Sequence, residues 1–381
     1  MTSGLSHIVR GVPYPRTMRV AFDEQIFAVQ RYGGISRVFA ELAREFESDQ
    51  SLDVELQPIA APVVNEYLLR DPDTARKLVV WRGRHWSFTI ARSLMRRRHR
   101  GPADVVHSSF YLPRMHHDYP GSKRIVTVHD MIPELFPNTR RRLDFMTIKH
   151  TYVKQADHVI CVSESTRRDL LTIYPDIETP VSVVHSGVGS EYTPGLPALR
   201  QLPASYLIHV GARIQYKDSL TLLRAFPDIS RAFPELHLVM VGGGDLTREE
   251  SAIIEQTGTR DRVMQVSLPD DSMPQAYANA RALVFPSRYE GFGLPVLEAM
   301  ASGIPVILCD SSALPEVGGT AASYFKVGDP TDLANQVCAV LEDASLQDKM
   351  RHEGLLRARE FSWARAARQT AEVYRSVVER S

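Results

Sequence analysis

Residues 282–303 read Ala282-Leu283-Val284-Phe285-Pro286-Ser287-Arg288-Tyr289-Glu290-Gly291-Phe292-Gly293-Leu294-Pro295-Val296-Leu297-Glu298-Ala299-Met300-Ala301-Ser302-Gly303. The first four residues form an apolar run of buried-strand length. A loop with two glycines follows, Pro295 suits a first helical position, and Gly303 suits a helix stop. The stretch is therefore a strand, a turn and a helix whose N-terminus lies at the carboxyl end of the strand. Free backbone N–H groups at such a terminus, approached closely past Gly291 and Gly293, suit an anionic group such as a phosphate. Glu290 and Glu298 would repel a bare phosphate. They make chemical sense as acceptors for the hydroxyls of an attached sugar or ribose, so the stretch predicts a nucleotide-sugar ligand.

Outward from this unit, short apolar runs alternate with helical patterns along the whole chain, the mark of βαβ construction with parallel sheets. Strands are expected at 18–22, 105–107, 125–128 and 158–162, with a helix over 35–46. A second series runs 206–210, 236–241, 262–266, 282–285, 305–308 and 323–325, with helices over 219–226, 274–280, 295–302 and 330–342. The fold class expected is α/β, two Rossmann-like domains facing across a cleft. Residues 1–17 read as a flexible extension, 18–190 as the first domain and 191–203 as a linker. Residues 204–360 read as the second domain, and 361–381 as a C-terminal helix packing back toward the first. In such sheets ligands bind beyond the carboxyl ends of the strands, so the site is expected in the cleft between the lobes.

The 381 residues hold 45 Lys+Arg and 45 Asp+Glu, a balance that argues against general electrostatic capture of nucleic acid. Cys161, Cys309 and Cys338 are odd in number and far apart, which supports neither a disulfide framework nor a zinc site and fits a reducing, cytoplasmic setting. No window approaches the ~18 apolar residues of a membrane span, and the first residues lack the apolar core of a signal peptide. From Arg82 to Arg100 there are seven arginines and no acid, interleaved with Trp86, Phe88, Ile90, Leu94 and Met95. This reads either as a solvated basic helix or as a surface able to rest on anionic lipid. His116-His117 has no partner at metal spacing and reads as surface.

After the strand at 206–210 comes Gly211-Ala212-Arg213-Ile214-Gln215-Tyr216-Lys217. Arg213 and Lys217 stand at the same sheet edge as the Glu290 loop, where they would grip a diphosphate without a metal ion. Gly242-Gly243-Gly244-Asp245 invites a dinucleotide reading but fails on spacing, since position 247 is Thr247.

Together these motifs resemble the retaining glycosyltransferases of family 4, which have the two-lobed GT-B fold, over almost the whole chain from Met18. Glu290 and Glu298, with seven residues between them, match the family's paired glutamates, and Gly211-x-Arg213-x-x-x-Lys217 matches its diphosphate-gripping element. Tyr32-Gly33-Gly34-Ile35-Ser36-Arg37 looks like its glycine-rich loop near the donor phosphate, and Thr127-Val128-His129-Asp130 resembles its catalytic-site histidine segment. One departure is Ser267-Leu268-Pro269-Asp270, where the family often has a glycine.

The resemblance implies that Glu298 holds the ribose and that Arg213 and Lys217 hold the diphosphate. Glu290, Gly291, Phe292, Gly293 and Leu294 would hold the transferred sugar, Gly33 and Gly34 would approach the donor, and His129 would lie near the reaction centre. It implies hexose transfer with retention, with no cofactor or metal. The donor expected is a nucleoside-diphosphate sugar, a mannose-like GDP-sugar in the bacterial polysaccharide and O-antigen transferases that these motifs resemble. The acceptor expected is a glycan, lipid-linked, with peripheral contact at the cytoplasmic face of the membrane. A UDP-sugar transferase, a nucleotide-sugar epimerase and a non-catalytic sensor are the alternatives.

Overall fold

The computed structural model describes residues 17–58, 62–70, 79–80, 102–111, 119–136 and 142–380. The basic stretch 82–100, His116-His117 and nearly all of the N-terminal extension lie outside these residues.

The first sheet takes β1 (Met18–Phe22), β2 (Val54–Leu56), β5 (Val105–Ser108), β6 (Lys123–Val128), β7 (His158–Cys161) and β8 (Val181–Val183) in the order β2-β1-β5-β6-β7-β8. β3 (Pro62–Val63) and β4 (Val79–Val80) form a separate pair. The second sheet takes β9 (Tyr206–Val210), β10 (His237–Val241), β11 (Val263–Val266), β12 (Ala282–Phe285), β13 (Val306–Cys309) and β14 (Ser323–Phe325) in the order β11-β10-β9-β12-β13-β14. All of these pairings are parallel.

Parallel strands covered on both faces need unbroken apolar sequence. β7, β12 and β13 are buried at every residue, which is why their runs stand out in the sequence. The edge strands β2 and β8 are short and only partly buried, and no sequence signal marks them.

Each sheet reverses its strand order once. In the first sheet the reversal lies between β1 and β5, and in the second between β9 and β12, where Ala282 pairs with Leu207. Loops leaving the carboxyl ends of strands on either side of such a reversal diverge and leave a crevice between them. In the first lobe the segments that flank the reversal are those that follow Phe22 and Ser108. In the second they are the loops after Val210 and Phe285.

The helix Gly34–Ser48 places Arg37, Phe39, Ala40, Leu42 and Phe46 on its buried face. The helix Ser219–Ala232 runs one and a half turns past Phe226 despite Pro227. Burial of Ile229 against the second core outweighs the one backbone bond that the proline cannot donate. At the end of the chain, the helix Trp363–Glu379 buries Trp363, Ala367, Ala371 and Tyr374 in the first lobe's core with Phe22, Phe39 and Phe46. Each such large apolar side chain contributes about 1.5–3 kcal/mol. The chain therefore crosses between lobes twice, and the crossings touch where Val188 N–H donates to the Phe361 carbonyl at 3.1 Å.

Candidate active site

Lys217 ends the short 3-10 turn Gln215–Lys217 that follows β9. The next residue, Asp218, has φ +48° and accepts from Arg288 Nε at 2.8 Å and from Thr221 Oγ1 at 2.8 Å. The Arg288 bond ties the loop after β9 to the loop after β12. Lys217 Nζ reaches Glu290 Oε1 at 2.5 Å, with both side chains mostly buried, and the Glu290 N–H donates to Ser312 Oγ at 2.8 Å. The paired charges sit at the second sheet's switch point.

From Glu290 the chain passes into Gly291, which lies against the first lobe. A Cβ at Gly291 would stand 1.7 Å from the His129 carbonyl oxygen. The Gly291 carbonyl accepts from Ser163 Oγ at 2.6 Å and Thr166 Oγ1 at 3.1 Å. Gly293 then adopts φ +111° before the helix Leu294–Ala301, whose first turn has no side-chain cap. An ideal Cβ on Gly34 would lie 3.6 Å from Leu294, so the first lobe's glycine loop borders that helix N-terminus.

Glu316 makes a further link between the lobes. Its carboxylate accepts from Glu164 N–H at 2.8 Å, Ser165 N–H at 3.1 Å and His185 Nε2 at 2.7 Å, so the second lobe caps the first lobe's Glu164–Ile173 helix. Glu316→Ala is expected to cost about 1–2 kcal/mol, as loss of a helix cap does. Chemical unfolding checks this, and an unchanged midpoint would remove Glu316 from the interface account.

His129 follows β6 and lines a cavity of about 200 Å³ with Phe110, Asp130, Lys149 and Tyr216. Burial pushes its imidazole down to about 3, with the Lys149 cation adding to the effect, so the ring is neutral at physiological pH. Its Nε2 is buried with no hydrogen-bond partner among the described residues. Lys149 Nζ donates to the Asp130 carbonyl at 2.7 Å and meets Glu134 Oε2 at 3.0 Å, which pins the backbone just beyond the histidine.

Buried neutral histidines make stability depend on pH. Burial lowers His107 to about 3 and His209 to about 4, as it lowers His129. Each takes up a proton on unfolding below about 6.5, so its contribution is present above that pH and is lost as pH falls toward 4. Asp23 acts oppositely. Burial raises it to about 6 against its Ser109 bonds, so it favours the folded state below its unfolded value and loses that contribution as pH rises through 6. Near pH 5 the three histidines outweigh Asp23, so among these four groups unfolding takes up protons on balance and stability falls with falling pH. The urea midpoint should be lower at pH 5 than at pH 7, and equal midpoints would contradict this balance.

Between the lobes lies a larger cavity of about 600 Å³, bordered by Gly33, Gly34, Gly211, Gly242, Leu268, Pro269, Asp270, Leu294 and Glu298. Residues 268–270, where the sequence departs from the family's glycine, thus form part of its wall. Burial raises the Glu298 carboxyl, with Arg37 and Tyr277 opposing. Arg37 Nη1 meets Glu298 Oε1 at 2.6 Å, and Tyr277 Oη donates to Oε2 at 3.0 Å.

The structure brings Lys217 against Glu290, Gly291 against His129 and Gly34 beside Leu294. Phe292 stacks on His185 with centroids 5.8 Å apart, so its ring is spent on the joint between the lobes. Arg213 is held by groups of its own lobe. Its Nε meets Glu250 Oε1 at 3.0 Å, Nη1 donates to the Gly242 carbonyl, and Nη2 donates to the carbonyls of Gly244 at 2.6 Å and Asp245 at 2.8 Å. It clasps the glycine loop after β10, whose three glycines all have positive φ. Sequence reading assigned no role to Arg37, Lys149, Ser163 or Glu316. Arg37 ends the glycine-rich motif that begins at Tyr32, and its charge on the apolar face of the Gly34–Ser48 helix is a second signal. Among the described residues, no group of three or more His, Cys, Asp or Glu is arranged to hold a metal ion, and no helix is long and apolar enough to cross a membrane.

Residues 32–192 match the family model described as Glycosyltransferase Family 4, and residues 200–357 match the one described as Glycosyl transferases group 1. The chain is 28% identical over 283 residues to O-antigen chain mannosyltransferase B of Escherichia coli, covering 70% of this chain and 72% of that one. It is 27% identical over 397 residues to the MMP alpha-(1->4)-mannosyltransferase of Mycolicibacterium hassiacum, covering 91% and 93%. Among solved structures, Anabaena HepE in complex with UDP-glucose superposes with a TM-score of 0.72 at 16% identity, covering 94% of this chain and all of that one. Sucrose-phosphate synthase from Thermosynechococcus elongatus gives a TM-score of 0.71 at 18% identity, covering 96% and 100%. At these identities the structures speak to the fold, which is the two-lobed GT-B architecture.

Proposed function

Because the chain is a glycosyltransferase, joining a family 4 domain to a group 1 domain in the GT-B fold, we propose that it moves mannose or a related hexose from a GDP-sugar to a glycan acceptor with retention at the anomeric carbon. The observation that carries this reading is the Lys217–Glu290 pair at the switch point, joined through Gly291 to the backbone of His129. Lys217 supplies a positive charge where a diphosphate leaving group gathers negative charge, and the uncapped helix start at Leu294 supplies backbone N–H groups beside it. Glu290, once its ammonium partner turns to the diphosphate, is free to accept from hydroxyls of the transferred sugar. Glu298 does the same for the ribose. Such a site needs no metal, because the charge on the leaving group is met by side chain and backbone.

No carboxylate of the first lobe serves as an obvious nucleophile in this scheme. The acceptor hydroxyl attacks on the face from which the diphosphate departs, and the departing phosphate oxygen takes its proton. His129, neutral and buried, contacts the sugar or the acceptor at that point. The mannose assignment rests on the similarity to two mannosyltransferases. A lipid-linked acceptor, met at the cytoplasmic face of the membrane, rests on the O-antigen relative and on the basic sequence 82–100. One observation favours a second reading, a UDP-sugar donor, since the HepE structure of the same fold was solved with UDP-glucose.

The test is incubation with GDP-α-mannose and a mannose-terminated oligosaccharide, with the product's anomeric configuration read by NMR. An α-mannoside is expected. A β-mannoside would overturn retention, and transfer from UDP-glucose in place of GDP-mannose would replace the donor.

A further inference from the structure

Arg37 occupies a costly position. It sits in the first turn of the Gly34–Ser48 helix with its side chain only 8% exposed, and it crosses to the other lobe. One of its terminal nitrogens meets Glu298 Oε1 at 2.6 Å and the Tyr192 hydroxyl at 3.2 Å, and the other meets Glu191 Oε1 at 2.9 Å. The Tyr192 ring lies under the guanidinium, 5.4 Å from centroid to Cζ. A buried guanidinium with this many directed partners has one orientation. A buried ion pair adds little net stability compared with apolar packing, so retention of one at a cavity wall points to a task other than holding the fold.

The carboxylate of Glu298 is held by Arg37 on one oxygen and Tyr277 on the other, with the Tyr192 hydroxyl a third partner, so three partners do not exhaust its four lone-pair positions. Both Arg37 and Glu298 border the 600 Å³ cavity. We propose that Arg37 is a positioning residue that aims the Glu298 carboxylate from across the cleft at the ribose hydroxyls of the nucleotide, so that ribose recognition depends on a residue of the opposite lobe. This rests on the reading of Glu298 as the ribose acceptor. An ionised, fixed carboxylate discriminates strongly for a hydroxyl donor because a ligand lacking that donor leaves it unpaired. Lysine at position 37 would keep the charge and lose the fork that engages Glu298, Tyr192 and Glu191 together.

The experiment measures dissociation constants of GDP and of 2′,3′-dideoxy-GDP by calorimetry for the parent chain and for Glu298→Gln, Arg37→Met, Arg37→Lys and the double variant Arg37→Met/Glu298→Gln. The double variant guards against misfolding, since it removes both buried charges at once. The parent is expected to prefer GDP by about tenfold to a hundredfold, the worth of hydrogen bonds to a charged group. Glu298→Gln and Arg37→Met should each collapse that ratio. The double variant should discriminate no less than Glu298→Gln alone, and Arg37→Lys should fall between. If Glu298→Gln collapses the ratio while both Arg37 variants weaken the two nucleotides equally and keep it, the proposal is wrong and Arg37 serves only to hold the lobes. If Glu298→Gln itself keeps the parent ratio, the ribose reading of Glu298 fails instead.

Discussion

Lys217→Ala is expected to lower kcat/KM by about 10²–10³, the loss seen when one preorganised group facing developing negative charge is removed. The change acts twice. It removes the ammonium that would meet the leaving diphosphate, and it leaves Glu290, whose side chain is only 11% exposed, as an uncompensated anion beside the same group. The double variant Lys217→Ala/Glu290→Gln should therefore bind the donor better than Lys217→Ala alone, although it will not recover turnover. Thermal unfolding should fall further in Lys217→Ala, which leaves the mostly buried Glu290 carboxylate unpaired, than in the double variant. Steady-state kinetics with GDP-mannose checks this, and turnover within threefold of the parent would remove Lys217 from the mechanism.

Gly291→Ala is the second large effect. The new methyl group would stand 1.7 Å from the His129 carbonyl oxygen, and that neighbour is backbone rather than a flexible side chain. One of the two loops must move by more than an ångström. Since Gly291 also accepts from Ser163 and Thr166, the shift strains the contact between the lobes. Overpacking of this kind costs about 1–3 kcal/mol, and displacement of reacting groups by about 1 Å costs on the order of a hundredfold in rate. Activity should fall at least that far while far-UV circular dichroism stays near that of the parent. Parental kinetics in Gly291→Ala would mean that the two loops do not meet in the working enzyme.

These effects concern residues whose roles could be suspected from sequence to different degrees. Glu290, Gly291 and Leu294 stand in one continuous stretch after an apolar strand, so their common location was legible from local pattern alone. The strands themselves were legible wherever they were buried on both faces, as at Ala282–Phe285. The Glu164–Ile173 helix was not, because it is mostly polar and takes its N-terminal partners from Ser163 and from Glu316 of the other lobe. Arg213 shows the limit most clearly. Its spacing from Gly211 suggests a phosphate contact, and its partners among the protein's own groups, the Glu250 carboxylate and carbonyls about thirty residues further on, are brought to it by the pairing of β9 with β10. Arg37 likewise meets a carboxylate 261 residues away. A partner at that distance is set by how two lobes face one another, which no local periodicity encodes.

The most direct test of the account is thermal stabilisation of the purified chain by GDP, UDP, ADP and dTDP, each with and without EDTA. A ligand that binds only the folded state adds about 2.7 kcal/mol at a hundred times its dissociation constant, well within reach of such a measurement. The account predicts the largest rise with GDP, the same rise in EDTA, and a much smaller one in Lys217→Ala. No rise with any of the four nucleotides would contradict it.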